Sequence, residues 1–218
     1  MTGRDTLRLV GGPSLVALGV TLLRLVGERG RWSDRWFSPE TGGIVPHGMT
    51  WVVGITWLAI PFGAYFGLKV ARAGEGPLRP WRGLAWPAAG VAVLLAGGRL
   101  AWRVPLPFPP ILIGIWLVMV AAAAVAWTGW PALGRTLLAY GLASRLPVVV
   151  VMFLAMRGNW GTHYDYVGMP PQFQMAFWPR YLWLAFFPQL VFWVGFTILI
   201  GAMAGSLAVV LLMRPRVA

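Results

Sequence analysis

The chain has no cysteine, a single lysine (Lys69) and only six acidic residues among 218. Without cysteine there can be no disulfide, thiolate metal site, iron–sulfur cluster or cysteine nucleophile. Charged residues make up 11% of the chain, where a soluble domain carries about 25%. No strand-period alternation runs through the apolar stretches, which excludes an outer-membrane barrel. There is no phosphate-binding loop, GxSxG, HExxH or dinucleotide fingerprint. No lysine lies at the middle of an apolar run, so a retinal Schiff base is not expected. Neither histidine lies inside one either, which argues against a bis-histidine haem bundle.

What remains is 58% hydrophobic. A soluble core cannot absorb that much apolar surface, so the expected medium is lipid. The net charge of +12 is carried almost wholly by arginine. These arginines punctuate apolar runs rather than forming a patch. They read as interfacial anchors and lipid-phosphate contacts, not as a nucleic-acid surface.

Hydropathy predicts an all-α, polytopic transmembrane bundle in one membrane domain, 1–218. About six spans are expected: 9–26, 49–70, 84–102, 111–127, 135–156 and 189–213. No cleavage-site pattern follows the first run, so it reads as a retained span. Pro13 is placed near the first turn of span 1. Pro61, Pro87 and Pro147 are expected to break spans 2, 3 and 5, and Pro188 to divide the last apolar run. Residues 105–110 read as a stiff proline connector, and residues 128–134 as a short turn. Short interfacial helices are expected in the 27–47 and 157–188 loops, where Trp32, Trp36, Phe177 and Trp178 supply aromatic anchors. Lysine and arginine near the span ends favour a cell-membrane protein with both termini cytoplasmic. Loops 27–47 and 157–179 then face the other side.

Four groups of residues stand out. Arg145 lies about 15 Å from either end of its span. A mid-bilayer arginine costs on the order of 2.5–3.5 kcal/mol. None of the expected spans contains Asp or Glu, so its partners are expected to be carbonyls such as that of Ala143, freed by Pro147, hydroxyls such as Tyr140 and Ser144, water, a loop carboxylate folding inward, or a bound anion. One reading makes it a brace that bonds freed carbonyls in a kinked helix. The other joins it with Arg24 and Arg99 in an anion or headgroup site in the outer half, with Arg157 and Arg180 as further candidates. His163, Asp165 and His47 fall on one face and are the candidates for acid–base work. Their spacing is not a metal signature and no metal is assigned. Gly63/Gly67 and Gly201/Gly205 form two GxxxG pairs, expected to dock partner helices.

No cofactor is expected beyond bound phospholipid. The partners expected are membrane lipids and other membrane subunits. Three function classes fit: a non-catalytic subunit or scaffold with an arginine-lined lipid contact, an enzyme acting on a lipid-linked or anionic substrate at the non-cytoplasmic face, or a small transporter or flippase.

Overall fold

A computed structural model describes residues 2–39, 49–77, 79–101, 103–105, 107–166 and 174–213. Within them the chain is helical, with no strand. The main helices are α1 (Gly3–Arg29), α2 (Asp34–Phe37), α3 (Ala59–Val70), α4 (Pro80–Ala101), α5 (Ile111–Gly129), α6 (Pro131–Gly158), α7 (Phe177–Tyr181) and α8 (Trp193–Leu212). Five helices are long and apolar enough to cross a membrane: Gly3–Arg29, Trp81–Ala101, Ile111–Gly129, Pro131–Gly158 and the continuous Phe177–Leu212. Large apolar side chains project outward along them, among them Leu15 (68% exposed), Leu117 (63%) and Val150 (56%). Such surface is stable only against lipid. The chain is an integral membrane protein with a helical bundle fold.

Several local expectations change. Helix α1 is longer than its apolar run at both ends. Thr2 and Asp5 cap its start reciprocally, with the Thr2 N–H 2.9 Å from Asp5 Oδ2. Pro13 therefore lies well inside α1 rather than in its first turn. At the other end the helix runs on through Glu28, so one spanning helix does hold a carboxylate.

Span 2 is shorter as a helix than expected. Residues 49–55 are turns and bends, and winding starts at Thr56–Leu58. Pro61 then falls in the first turn of α3, where its missing N–H costs nothing. Pro87 and Pro147 do not break α4 or α6, which pass through them. The expected turn at 128–134 reduces to one residue, Trp130, whose Nε1 donates to the Glu75 carbonyl at 2.6 Å. Pro188 does not divide the last run either. The backbone widens into π-type turns at Leu182–Phe186 and Pro188–Phe192, and α7 stays continuous with α8. A wide turn spares the i−4 bond that proline cannot make.

The core is built from close approaches. The two GxxxG pairs face each other. A Cβ on Gly63 would lie 2.5 Å from Gly201 Cα, and one on Gly67 would lie 2.6 Å from Gly205 Cα. Helices α3 and α8 thus touch backbone to backbone, and the faces expected to dock partners are occupied within the chain. Helix α4 meets α5 the same way, a Cβ on Gly90 falling 2.6 Å from the Ala122 carbonyl oxygen. Around these seams pack Phe66, Met119, Leu133, Leu137, Tyr140 and Leu199, all nearly inaccessible.

Candidate functional site

Where α1 and α6 end, the bundle encloses a polar cavity of about 220 Å³. That is far above the roughly 10–15 Å³ one water needs. Its walls come from α1, α6, the 53–56 segment, the 163–166 turn and the widened helix at Gln189 and Trp193. It reaches from the end of the bundle to the level of Arg145, which is fourteen residues from Pro131 and thirteen from Gly158 in α6.

Helix α1 supplies Thr21 and Arg24 to the cavity. Glu28 follows Arg24 by four residues, so their side chains stack on one face. Arg24 Nε donates to Glu28 Oε1 at 2.8 Å, and the Glu28 side chain is fully buried. Glu28 is also the anchor for the distant 160–166 segment. Its Oε2 accepts from the His163 backbone N–H at 2.9 Å, and His163 Nδ1 lies 2.8 Å from the same oxygen and 2.7 Å from Oε1. A buried carboxylate with this many donors keeps its charge without solvent.

The 160–166 turn is held in shape by Asp165. Its Oδ1 accepts from the Thr162 N–H at 2.6 Å and the Thr162 hydroxyl at 2.8 Å, and its Oδ2 accepts from the Gly161 N–H at 2.9 Å. Gly161 and Tyr166 adopt positive φ, +71° and +57°, closing the turn tightly. Asp165 is thus spent on the backbone and does not touch His163 through a side-chain hydrogen bond. Tyr164 donates to the Thr21 carbonyl at 3.1 Å, and Tyr166 donates to the Leu184 carbonyl. Those two bonds lash the turn to α1 and to the widened helix.

Burial pushes the His163 pKa below its ordinary value. The Arg24 charge pushes the same way, and the hydrogen bond to Glu28 opposes both. The imidazole is therefore neutral near neutral pH, with Nδ1–H donating to Glu28. Burial raises the Tyr164 and Tyr166 hydroxyls, Tyr166 to about 12, so both stay protonated.

Arg145 is 4% exposed and, among the described residues, meets no carboxylate. Its Nη1 donates to Gln189 Oε1 at 3.1 Å and its Nη2 to Thr56 Oγ1 at 3.3 Å. Its guanidinium lies 5.1 Å from the centre of the Trp193 ring. Its Nε is buried without a hydrogen-bond partner. A hydroxyl partner was expected and Thr56 supplies one, but the two hydroxyls named from the sequence are engaged elsewhere: Ser144 donates to the Gly141 carbonyl within α6, and Tyr140 packs against Phe62 and Phe66.

Two of the candidate arginines, Arg24 and Arg145, meet at the cavity together with His163. Arg99 is exposed on α4 and is not among the lining residues. Arg157 is exposed with its guanidinium 5.9 Å from the Phe177 ring centre, and Arg180 donates to the Met156 carbonyl at 3.3 Å. His47 lies outside the described residues. Among the described residues no three His, Asp or Glu side chains converge on a point where a metal could sit.

Glu28, Thr56 and Gln189 were missed by sequence reasoning. The signal for Glu28 was its i+4 spacing from Arg24, masked because the apolar run stops at Val26. The signal for Gln189 was an amide between Pro188 and a long apolar run. No family model, curated protein or solved structure matches the chain.

Proposed function

We propose that this membrane protein binds an anionic, phosphate-bearing headgroup, presented by a membrane lipid or a lipid-linked compound, in the cavity between α1, α6 and the widened helix. The observation that carries the reading is Arg145: a buried guanidinium that lines an open volume, with neutral partners only among the described residues and with its Nε–H left without a partner. An isolated charge in that position is costly unless something compensates it. A guanidinium presents a planar fork of donors suited to phosphate oxygens. The GxxxG glycines face each other within the chain and are not offered to a partner, which leaves the aromatic belts as the surface on which a scaffold reading would rest. The assignment of the cavity to the non-cytoplasmic side is an expectation drawn from the arginine distribution, and partner subunits are an expectation drawn from the helix-packing faces and aromatic belts.

Native mass spectrometry after mild extraction tests the reading. Wild-type protein is expected to retain an anionic phospholipid that an Arg24→Leu/Arg145→Leu double variant releases. An identical set of bound lipids on both proteins would count against it.

The Glu28–His163 pair favours a second reading, a membrane enzyme acting on the same headgroup. Nδ1 is committed to Glu28, while the ring lines the cavity and can offer Nε2 as a proton acceptor. Phosphorus NMR of proteoliposomes is the check. A new headgroup-cleaved species that His163→Gln abolishes would support turnover, and unchanged lipid spectra would remove this reading while leaving binding intact.

A further inference from the structure

Resting on the headgroup-binding reading, we propose that the cavity selects a ligand with a single negative charge, as in a phosphodiester headgroup, and that Glu28 sets this selectivity. The argument is a charge count over the ionisable side chains that line the cavity, together with Glu28, which does not line it but pairs with Arg24 and His163. Asp165 also lies outside the lining, its carboxylate taken by the Gly161 and Thr162 donors. Two permanent cations line it, Arg24 and Arg145. Arg24 is compensated by Glu28 at 2.8 Å. Arg145 has only Gln189, Thr56 and the Trp193 ring. His163 donates to Glu28 and is neutral, its burial opposing a second proton. Tyr164 and Tyr166 are neutral hydroxyls already donating to carbonyls. Among the described residues one positive charge is left over.

In a desolvated site, charge mismatch is costly in either direction. A phosphodiester carries one negative charge and balances Arg145. A phosphomonoester carries about 1.5 to 2 negative charges at neutral pH and would leave an excess beside Glu28. A zwitterionic headgroup brings its own cation and returns the site to a net surplus next to Arg24.

The test uses the full chain in nanodiscs of equal parts phosphatidylcholine, phosphatidylglycerol and phosphatidic acid, with the retained lipid read by native mass spectrometry. Wild type is expected to enrich phosphatidylglycerol over each of the others by roughly tenfold, the ratio that ~1.4 kcal/mol sets. Glu28→Gln adds one net positive charge and moves the enrichment to phosphatidic acid. Arg145→Gln removes one and erases the preference of phosphatidylglycerol over phosphatidylcholine. Arg145→Lys keeps the charge and keeps the wild-type order. An unchanged order in Glu28→Gln overturns the role given to Glu28. If that variant does not yield folded protein, Arg24→Gln, which leaves Glu28 to cancel Arg145, is expected to lose the preference for phosphatidylglycerol, and an unchanged order there overturns it instead.

Soluble glycerophosphoglycerol, the same diester without acyl chains, identifies the source. Stabilisation by it shows that the diester alone is recognised, and stabilisation only by the lipid shows that the chains are needed; both outcomes fit a monoanion site. Wild-type enrichment of phosphatidic acid or phosphatidylcholine would overturn the proposal, as would an unchanged order in Arg145→Gln. Lipid that binds without discrimination sinks the selectivity but leaves the binding reading standing. No retained lipid on any protein sinks both.

Discussion

The α3–α8 seam and the α1–α6 cavity lie in one bundle and are held by opposite means. At the seam's closest points glycine meets glycine: Gly63 lies against Gly201, Gly67 against Gly205, and the backbones touch. In lipid there is little hydrophobic gain between helices, so such contacts rely on dispersion at very short range. The cavity is the reverse. Its walls carry Arg24, His163 and Arg145, and its order comes from charge-assisted hydrogen bonds, those to Glu28 reaching across 135 residues of sequence. One region tolerates no added atom. The other has room to spare and a charge left uncompensated.

Substitutions separate the two regions, and the largest effect is expected at the seam. Gly67→Leu drives a side chain into Gly205, whose backbone cannot yield. Overpacking of this kind costs roughly 1–3 kcal/mol, and more where backbone is hit. Loss of monodisperse protein in gel filtration, or a steep fall in Tm, is the expected result. A folded variant of unchanged Tm would mean that the two helices do not touch.

At the cavity's rim, Asp165→Ala removes the acceptor for three hydrogen bonds and leaves the Thr162 N–H buried. A cost of about 1–3 kcal/mol is expected from the unsatisfied donors. Faster hydrogen exchange confined to residues 160–166 would locate the damage there rather than in the helices.

Arg145→Met sharpens the contrast, because it fills the same volume without charge. Replacing a buried ionic group by an apolar one is often neutral or stabilising. The expected outcome is an unchanged or raised Tm in lipid-free detergent together with loss of the Tm increase that phosphatidylglycerol confers on wild type. A large loss of stability without lipid would instead make Arg145 a brace for the helices.

The smallest effect is the pH dependence of His163. Its pKa is lowered in the fold, so the unfolded chain takes up its proton first. Stability then falls as pH drops through the ordinary imidazole value, about 6.5, and is fully present above it. Melting curves at pH values on either side of that point should show this slope in wild type and a shallower one in His163→Gln. Equal slopes would place His163 in water rather than against Glu28.

Much of the fold was legible from hydropathy alone. Runs near 9–26, 111–127 and 135–156 had to be helices, because lipid leaves no other way to satisfy the backbone. The prolines misled for a local reason. Pro61 sits where a helix starts, and Pro188 sits where the backbone widens, so neither interrupts the winding. The GxxxG spacing announced two close-packing faces, but spacing on a single helix does not name the partner. The site was half legible: Arg24, Arg145 and His163 stood out as polar groups in an apolar chain. Arg99 stood out equally and lies apart from them on the exposed surface of α4.

Composition by itself determined the solvent, and the solvent determined the secondary structure: eleven per cent charge and long apolar runs admit only helices in lipid. Which helix pairs with which was settled by tertiary packing, since glycine meets glycine only where two backbones are already side by side. The meeting of Glu28 with His163, and the pairing of Arg145 with Gln189 and Thr56, were settled the same way. Charges across so long a stretch of chain find one another only after the helices between them have been placed.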